Sequence, residues 1–171
     1  PGTSHQTVLD DAEQAIGLVD TVRLHPVLVL HDSALREAHM DGTYAPLTLG
    51  QAVTAVRAAM DRLEAAGIRV IRVGQHPAAD GLGRAVAGPR HPAIRQLVEA
   101  RRSLDQLRQA LYGAPARARV EVHCAPADET RTRGPRNQHV RTLRADFSLE
   151  SLTIRVDPTL QRGHYRVEIV E

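Results

Sequence analysis

Apolar residues recur at intervals of three and four positions in three stretches of the first 113 residues, which predicts amphipathic helices. The first stretch covers residues 7–18 and has acidic side chains in its early turns, where they favour the positive end of a helix. The second starts at Thr48, and Gln51 three residues later completes the pattern of a capping box. Gly67 suits the position just past the end of that helix. The third stretch begins at Pro92, a residue favoured in a first helical turn.

Two runs rich in valine, isoleucine and leucine lack the helical period and predict buried strands of the parallel type. The first covers residues 22–30, in which Pro26 must lie at a strand end or a bulge because proline cannot donate to a ladder. The second covers residues 68–73. Residues 75–91, rich in glycine and proline, predict a loop. Helices alternating with such strands are typical of βα units around a parallel sheet.

The pattern changes at residues 113–116 to short segments with a period of two, which predict strands. A basic loop and a helix over residues 137–147 separate the first two of these strands. We therefore predict a boundary near 113–116 between residues 1–113 and a small α+β unit over residues 116–171. Its strands are predicted at residues 118–123, 151–156 and 165–170.

Composition narrows the class of protein. The chain has 171 residues, of which 42% are hydrophobic and 25% charged, which is typical of a globular domain and excludes a disordered or collagenous chain. No apolar run approaches the roughly 18 residues of a membrane span, so we predict no membrane partner and a cytoplasmic location. The first residue is Pro1 and no signal peptide is recognisable, so we expect a piece of a longer protein. The single cysteine, Cys124, excludes an internal disulfide.

The positive charges are unevenly distributed, although the net charge of +2 is too small to indicate a nucleic-acid partner by itself. Five arginines follow one another with no acidic residue between them: Arg131, Arg133, Arg136, Arg141 and Arg144. Arg136 belongs to the sequence GPRN at residues 134–137, which resembles the GxxG loop of a KH module except for its last residue, and the other four arginines flank it. We predict RNA binding by these arginines. A solvated arginine-rich loop is the other interpretation.

Several segments of residues 1–113 together resemble the C-terminal half of radical S-adenosylmethionine (SAM) proteins of the Elongator-catalytic-subunit-like family. In chain order they are PG at residues 1–2, VRLHPVLVL at 22–30, DGTYAPLTL at 41–49, IRVIRVG at 68–74, AGPRHPA at 87–93 and QLVEAR at 96–101. Each match is short, and the resemblance depends on their order and spacing. His25, where the family often has tyrosine, and QHP at residues 75–77, where it has LQP, depart from the pattern.

The resemblance implies an α/β fold, with the last βα units of a partial (β/α) barrel followed by a small α+β appendage. Members of the family hold a [4Fe–4S] cluster with a CxxxCxxC loop of the first βα unit and cleave SAM to a radical, and some modify tRNA. With one cysteine, this chain is expected to hold no cofactor alone. We expect it to close the barrel and position substrate in an intact enzyme that uses the cluster and SAM. The expected partners are the missing N-terminal barrel half and tRNA, and we expect the isolated piece to self-associate through its exposed strand edge.

The resemblance also implies which residues face the cofactor or substrate, because barrel enzymes bind ligands at the carboxyl ends of their strands. The candidates are Arg23, His25, Arg72, Gly74 and Gln75, together with Arg90 and His91 ahead of the third helix, whose N-terminus attracts anions. Arg72 is favoured because a buried arginine needs a partner, and a ligand carboxylate is one. The other interpretation is that these side chains face helices or solvent.

No further motif predicts catalytic or metal chemistry. The nine histidines show no HExxH spacing, so we predict no metal site, and we assign no catalytic residue. Two hypotheses follow. The chain is part of a radical SAM enzyme and inactive alone, or it is a non-catalytic RNA-binding or scaffold module that uses the basic segment 131–144.

Overall fold

The computed structural model describes residues 5–75 and 81–170, which divide into two compact units, Pro1–Val98 and Glu99–Glu171. The division lies inside one helix, and the boundary near 113–116 stays a prediction. None of the described helices combines the length and apolar character needed to cross a bilayer. In chain order the elements of unit 1 are α1 (His5–Ala15), β1 (Thr21–Leu24), β2 (Val29–Leu30), α2 (Ala34–Met40), α3 (Leu49–Ala65), β3 (Arg69–Val73), α4 (Gly81–Arg84), β4 (Ala85–Ala87) and the start of α5 (Ile94–Ala110).

Unit 1 confirms the mixed α/β class and the parallel pairing of its two predicted strands, β1 and β3. The prediction of one strand over 22–30 is wrong, because the chain leaves the sheet around Pro26 and β2 pairs antiparallel with β4 instead. Since β4 lies in the segment predicted as a loop, that prediction is wrong there, while residues 76–80 lie outside the described residues. The described strands form small sheets without a closed barrel, so the partial barrel stays a prediction.

Helix α3 is held at both ends by local hydrogen bonds that its sequence predicts. The Thr48 hydroxyl accepts from the Gln51 N–H at 3.3 Å, and the Gln51 side chain accepts from the Thr48 N–H at 2.9 Å. At the other end Gly67, with φ of +81°, turns the chain so that the Ile68 N–H reaches the Leu63 carbonyl at 2.9 Å. The helix therefore leads directly into β3, and its apolar face packs into the core of unit 1. This core contains Ala52, Val56, Ala59, Met60, Leu63, Val70, Val73, Ile94 and Val98.

Unit 2 contains the rest of α5, β5 (Arg119–Cys124), α6 (Glu129–Arg133), α7 (Gln138–Asp146), β6 (Ser151–Val156) and β7 (Tyr165–Val170). The strand order is β6-β5-β7, with β5 parallel to β6 and antiparallel to β7. The α6 and α7 helices make the connection that a parallel pair requires. Alternation along β5 turns Val120, Val122 and Cys124 into the core and leaves Glu121 and His123 on the opposite face.

A fully buried carboxylate joins two loops of unit 2. Asp128 accepts the Gly163 N–H at 2.6 Å and forms ion pairs with Arg131 at 2.8 Å and Arg162 at 3.5 Å. Burial alone would raise the pKa of Asp128, but the Gly163 hydrogen bond and the Arg131 charge outweigh it, and the pKa lies below its ordinary value. The ionised side chain thus ties the turn before β7 to the start of α6.

We expect Gly88→Ala to destabilise the protein by about 1–3 kcal/mol. Gly88 has φ of +105°, and an added Cβ would lie 2.9 Å from the Val27 carbonyl oxygen, which is backbone and cannot move aside. Urea unfolding followed by circular dichroism measures the change. The matched control is Gly50→Ala in α3, where the space is open and alanine should stabilise the helix by up to about 1 kcal/mol. Equal effects of the two substitutions would contradict this assignment.

We expect Asp128→Asn to cost about 3–5 kcal/mol, because it removes the buried negative charge that pairs with Arg131 and accepts the Gly163 N–H. The folded-state pKa lies below the unfolded value of about 3.9. The carboxylate therefore stabilises the fold above that pH, and the contribution is lost as the pH falls through the folded-state pKa. Unfolding free energies across this range should fall more steeply for wild type than for the variant. Asp146→Asn, in an exposed pair with Arg108, should cost less than about 1 kcal/mol, and an equal loss there would refute the role of Asp128.

Candidate functional site

The carboxyl ends of β1 and β3 meet at one edge of their sheet. Leu24 lies in register with Val73, and the Gly74 N–H donates to the Leu24 carbonyl at 2.8 Å. His25 follows Leu24 and Gln75 follows Gly74. Both residues therefore lie at this edge of the sheet. The parallel pairing thus brings together the sequence-predicted candidates that follow these strands, as the carboxyl edge of a parallel sheet requires.

Two arginines face each other across the same strand pair. Arg23 lies in register with Arg72, next to an irregularity in the pairing, and Arg23 is exposed whereas Arg72 is half-buried. Within residues 5–75 and 81–170 neither guanidinium has an ion-pair partner. Like charges opposite each other destabilise a sheet. A bound anion would relieve this repulsion, and arginine suits carboxylate and phosphate groups because its fork of N–H groups binds two oxygens at once.

Gly74 has a packing role that the sequence did not indicate. It is buried with φ of +80°, and a Cβ there would lie 2.5 Å from Cγ2 of Ile94, the first residue of α5. The missing side chain therefore lets the start of α5 approach the end of β3. His25 and Pro26 border an apolar hollow of about 120 Å³ that is also lined by Ala52, Ala55 and Ala59 of α3.

The turn before α5 uses its histidine internally. The Nδ1 atom of His91 accepts the Ala93 N–H at 3.1 Å, so this ring satisfies a backbone donor at the helix start. The helix begins at Ile94, two residues after Pro92. Arg90 is exposed beside it. Of these two candidates, Arg90 is the side chain available to an external anion.

The five arginines of the basic segment fall into two groups. Arg131 pairs with Asp128 and Glu99, and Arg133 pairs with Glu129, so both charges are balanced within unit 2. The other three, Arg136, Arg141 and Arg144, are exposed and have no carboxylate partner among the described residues. Their contacts are with carbonyl groups: Arg141 donates to the Arg136 carbonyl at 2.6 Å and Arg144 to the Leu149 carbonyl at 3.4 Å.

The loop that carries Arg136 connects α6 to α7 and has an unusual backbone. Gly134, Arg136 and Asn137 have φ of +67°, +50° and +59°. Gly134 is buried against His139, whose ring atoms would lie 2.5 Å from an added Cβ. Burial lowers the pKa of His139, which favours its neutral form. The contact between His139 and Gly134 thus anchors one end of the loop in the core, while Arg136 is exposed to solvent.

The sheet of unit 2 also brings together three residues that the sequence did not indicate. Glu121, His123 and Glu168 meet on its outer face, although Glu168 is far along the chain from the other two. The sequence pattern that could have identified them is the alternation of polar and apolar residues along β5 and β7. Every half-exposed strand shows such alternation, so the pattern does not single out these residues.

The residues of this chain do not fit an iron–sulfur cluster. Such clusters are held by several cysteine thiolates, and the only cysteine in the chain, Cys124, is fully buried in the core of unit 2. Burial also raises the pKa of its thiol, which disfavours the thiolate that binds metal. A cluster used by the intact protein must therefore have its ligands elsewhere.

Comparison with known proteins identifies the family. A family model described as the Radical_SAM C-terminal domain matches residues 19–106, a range that includes β1, β3 and most of α5. No match was found among curated proteins or among solved structures. Since the match covers just over half of the 171 residues, the chain belongs to the radical SAM C-terminal domain family and forms part of an enzyme that uses SAM and a [4Fe–4S] cluster in its intact form.

Proposed function

We propose that this chain is the C-terminal part of an Elongator-like radical SAM enzyme that modifies tRNA, and that unit 1 closes a partial barrel and positions cofactor or substrate. The observation that carries the proposal is the pair Arg23 and Arg72 within the matched range, at the carboxyl ends of parallel strands. The two charges have no partner among the described residues, so they favour an anionic ligand there.

The proposed ligand is a carboxylate or a phosphate, the two anionic groups that SAM and RNA respectively carry. Both present oxygens in a geometry that an arginine fork can bind with two hydrogen bonds. His25 and Gln75 are at the same edge and would contact the remainder of the ligand. The iron–sulfur cluster, which supplies the radical chemistry, would come from a CxxxCxxC segment outside this chain, so the role of unit 1 is binding and orientation.

A second candidate function is RNA binding by unit 2. It is favoured by Arg136, Arg141 and Arg144, which have no carboxylate partner in the part of the chain that the structure describes. They lie on a helix-loop-helix whose loop sequence resembles a KH loop, and phosphate contacts there need no aromatic stacking. The function is compatible with the first, since a tRNA-modifying enzyme must hold its substrate. RNA binding would also be a sufficient function by itself for a non-catalytic module.

We expect Arg72→Gln to lower kcat/KM at least tenfold in the longer protein that carries the CxxxCxxC segment, because a hydrogen bond to a charged group contributes about 1.5–3 kcal/mol. Formation of 5′-deoxyadenosine at varied SAM and tRNA concentrations shows which ligand is affected. The matched control is Arg69→Gln, at the opposite end of the same strand. Equal effects of the two variants, or an upstream gene sequence without the three cysteines, would refute the proposal.

We expect Arg136→Ala combined with Arg144→Ala to weaken tRNA binding by the 171-residue chain. Each lost phosphate contact should also reduce the slope of log K against log salt concentration by about 1, hence by about 2 for the pair. Fluorescence titration of labelled tRNA at several salt concentrations measures both quantities.

The control for this experiment is Arg119→Ala combined with Arg155→Ala, which removes the same charge from arginines already paired with Glu150 and Glu121. Its salt slope should match wild type. RNA binding is refuted if the chain fails to bind tRNA at low salt or if the two double variants behave alike.

A further inference from the structure

The outer face of the sheet in unit 2 gathers one imidazole and two carboxylates at its centre. Glu121 and His123 are two residues apart on the middle strand β5, so they share a face. Glu168 lies in register with Glu121 on the neighbouring strand β7. The His123 Nε2 atom is 3.3 Å from Oε2 of Glu168 and 3.8 Å from Oε2 of Glu121, and one atom from each of the three residues lies within 4.8 Å of the others.

We propose that Glu121, His123 and Glu168 bind a divalent transition-metal ion such as Zn²⁺. Ligand atoms bound at about 2.0–2.2 Å to a tetrahedral ion are separated from each other by roughly 3.3–3.6 Å. The two measured separations from Nε2 lie at or near that range, so binding needs only small side-chain rotations. Three protein ligands leave a fourth position for water or a substrate group.

The imidazole nitrogen at this centre is buried and has no hydrogen-bond partner among the residues that the structure describes. The Nε2 atom of His123 is inaccessible to solvent, and the side chain as a whole is 15% exposed. Although two carboxylate oxygens are near, none completes a hydrogen bond with it in the structure. A buried polar atom without a partner costs free energy, and a metal ion bonded to the nitrogen lone pair would remove this cost.

Two arginines orient the carboxylates towards the histidine. Arg155 donates to Oε1 of Glu121 at 2.8 and 3.1 Å, and Arg166 pairs with Oε1 of Glu168 at 3.2 Å. In each carboxylate the other oxygen, Oε2, is the one near His123. In known metal sites, neighbouring groups orient a ligating carboxylate through the same kind of polar contact that the arginines here make to Oε1.

The ligand set indicates the class of ion. Ca²⁺ takes six to eight oxygen ligands, and Mg²⁺ prefers carboxylates, phosphates and water in octahedral geometry. One imidazole nitrogen with two carboxylates suits zinc and its transition-metal neighbours instead. Arg155 and Arg166 also offset the negative charge of the two carboxylates. This disfavours Ca²⁺ and Mg²⁺ further, because their binding to carboxylates depends mainly on that charge.

Calorimetric titration of the chelator-treated 171-residue chain with ZnCl₂ tests the site. We expect His123→Ala and Glu168→Gln each to weaken one binding event about tenfold or more, since even neighbouring groups that only orient ligands contribute 10–100-fold. The visible absorption of Co²⁺ should change on binding to wild type and not to His123→Ala, which links the change in coordination to His123. Circular dichroism checks that each variant is folded.

The matched controls are His164→Ala and Glu150→Gln, an exposed histidine and an exposed glutamate of the same unit that lie outside the cluster. Both should bind Zn²⁺ as wild type does. The proposal is overturned if the wild-type chain binds no Zn²⁺, if His164→Ala weakens binding as much as His123→Ala, or if MgCl₂ binds with equal affinity.

Discussion

Parallel pairing of strands, β1 with β3 and β5 with β6, is the constraint on which both units depend. Parallel neighbours cannot be joined by a tight turn, so each pair needs a long connection that crosses the sheet. In unit 1 the connection includes α3, whose apolar face forms much of the core. In unit 2 the connection contains α6, the loop that carries Arg136, and α7. The carboxyl ends of the paired strands consequently meet, and so do the residues that follow them.

The chain has arginine but no lysine, and the structure distinguishes its arginines by their partners. Some arginines stabilise the fold by pairing with acidic side chains. Arg131 pairs with the buried Asp128, whose charge would destabilise the folded state if it had no partner. Others have no acidic partner among the described residues. For two groups of these we propose ligands, Arg23 and Arg72 in unit 1 and Arg136, Arg141 and Arg144 in unit 2. The count of charges along the chain does not reveal this difference, since all five arginines of residues 131–144 follow one another with no acidic residue between them.

Much of the fold was predictable wherever the decisive contacts are local. The capping box at Thr48 and the turn at Gly67 are set by hydrogen bonds between residues a few positions apart, so the sequence shows them directly. The strand over 22–30 was mispredicted because an apolar run looks the same whether its two ends join one sheet or two. Its second half pairs with β4, a partner more than fifty residues away that the glycine-rich composition concealed.

The sequence by itself determined the positions of the main helices and strands and a resemblance to radical SAM proteins, which the family match supports at the level of the C-terminal domain. Only the tertiary structure decided which charged side chains meet. The cluster of Glu121, His123 and Glu168 depends on the register between β5 and β7, and a shift of one residue would turn Glu168 to the opposite face. Periodicity reports which residues of one segment share a face, whereas register between distant segments is fixed by packing of the whole core.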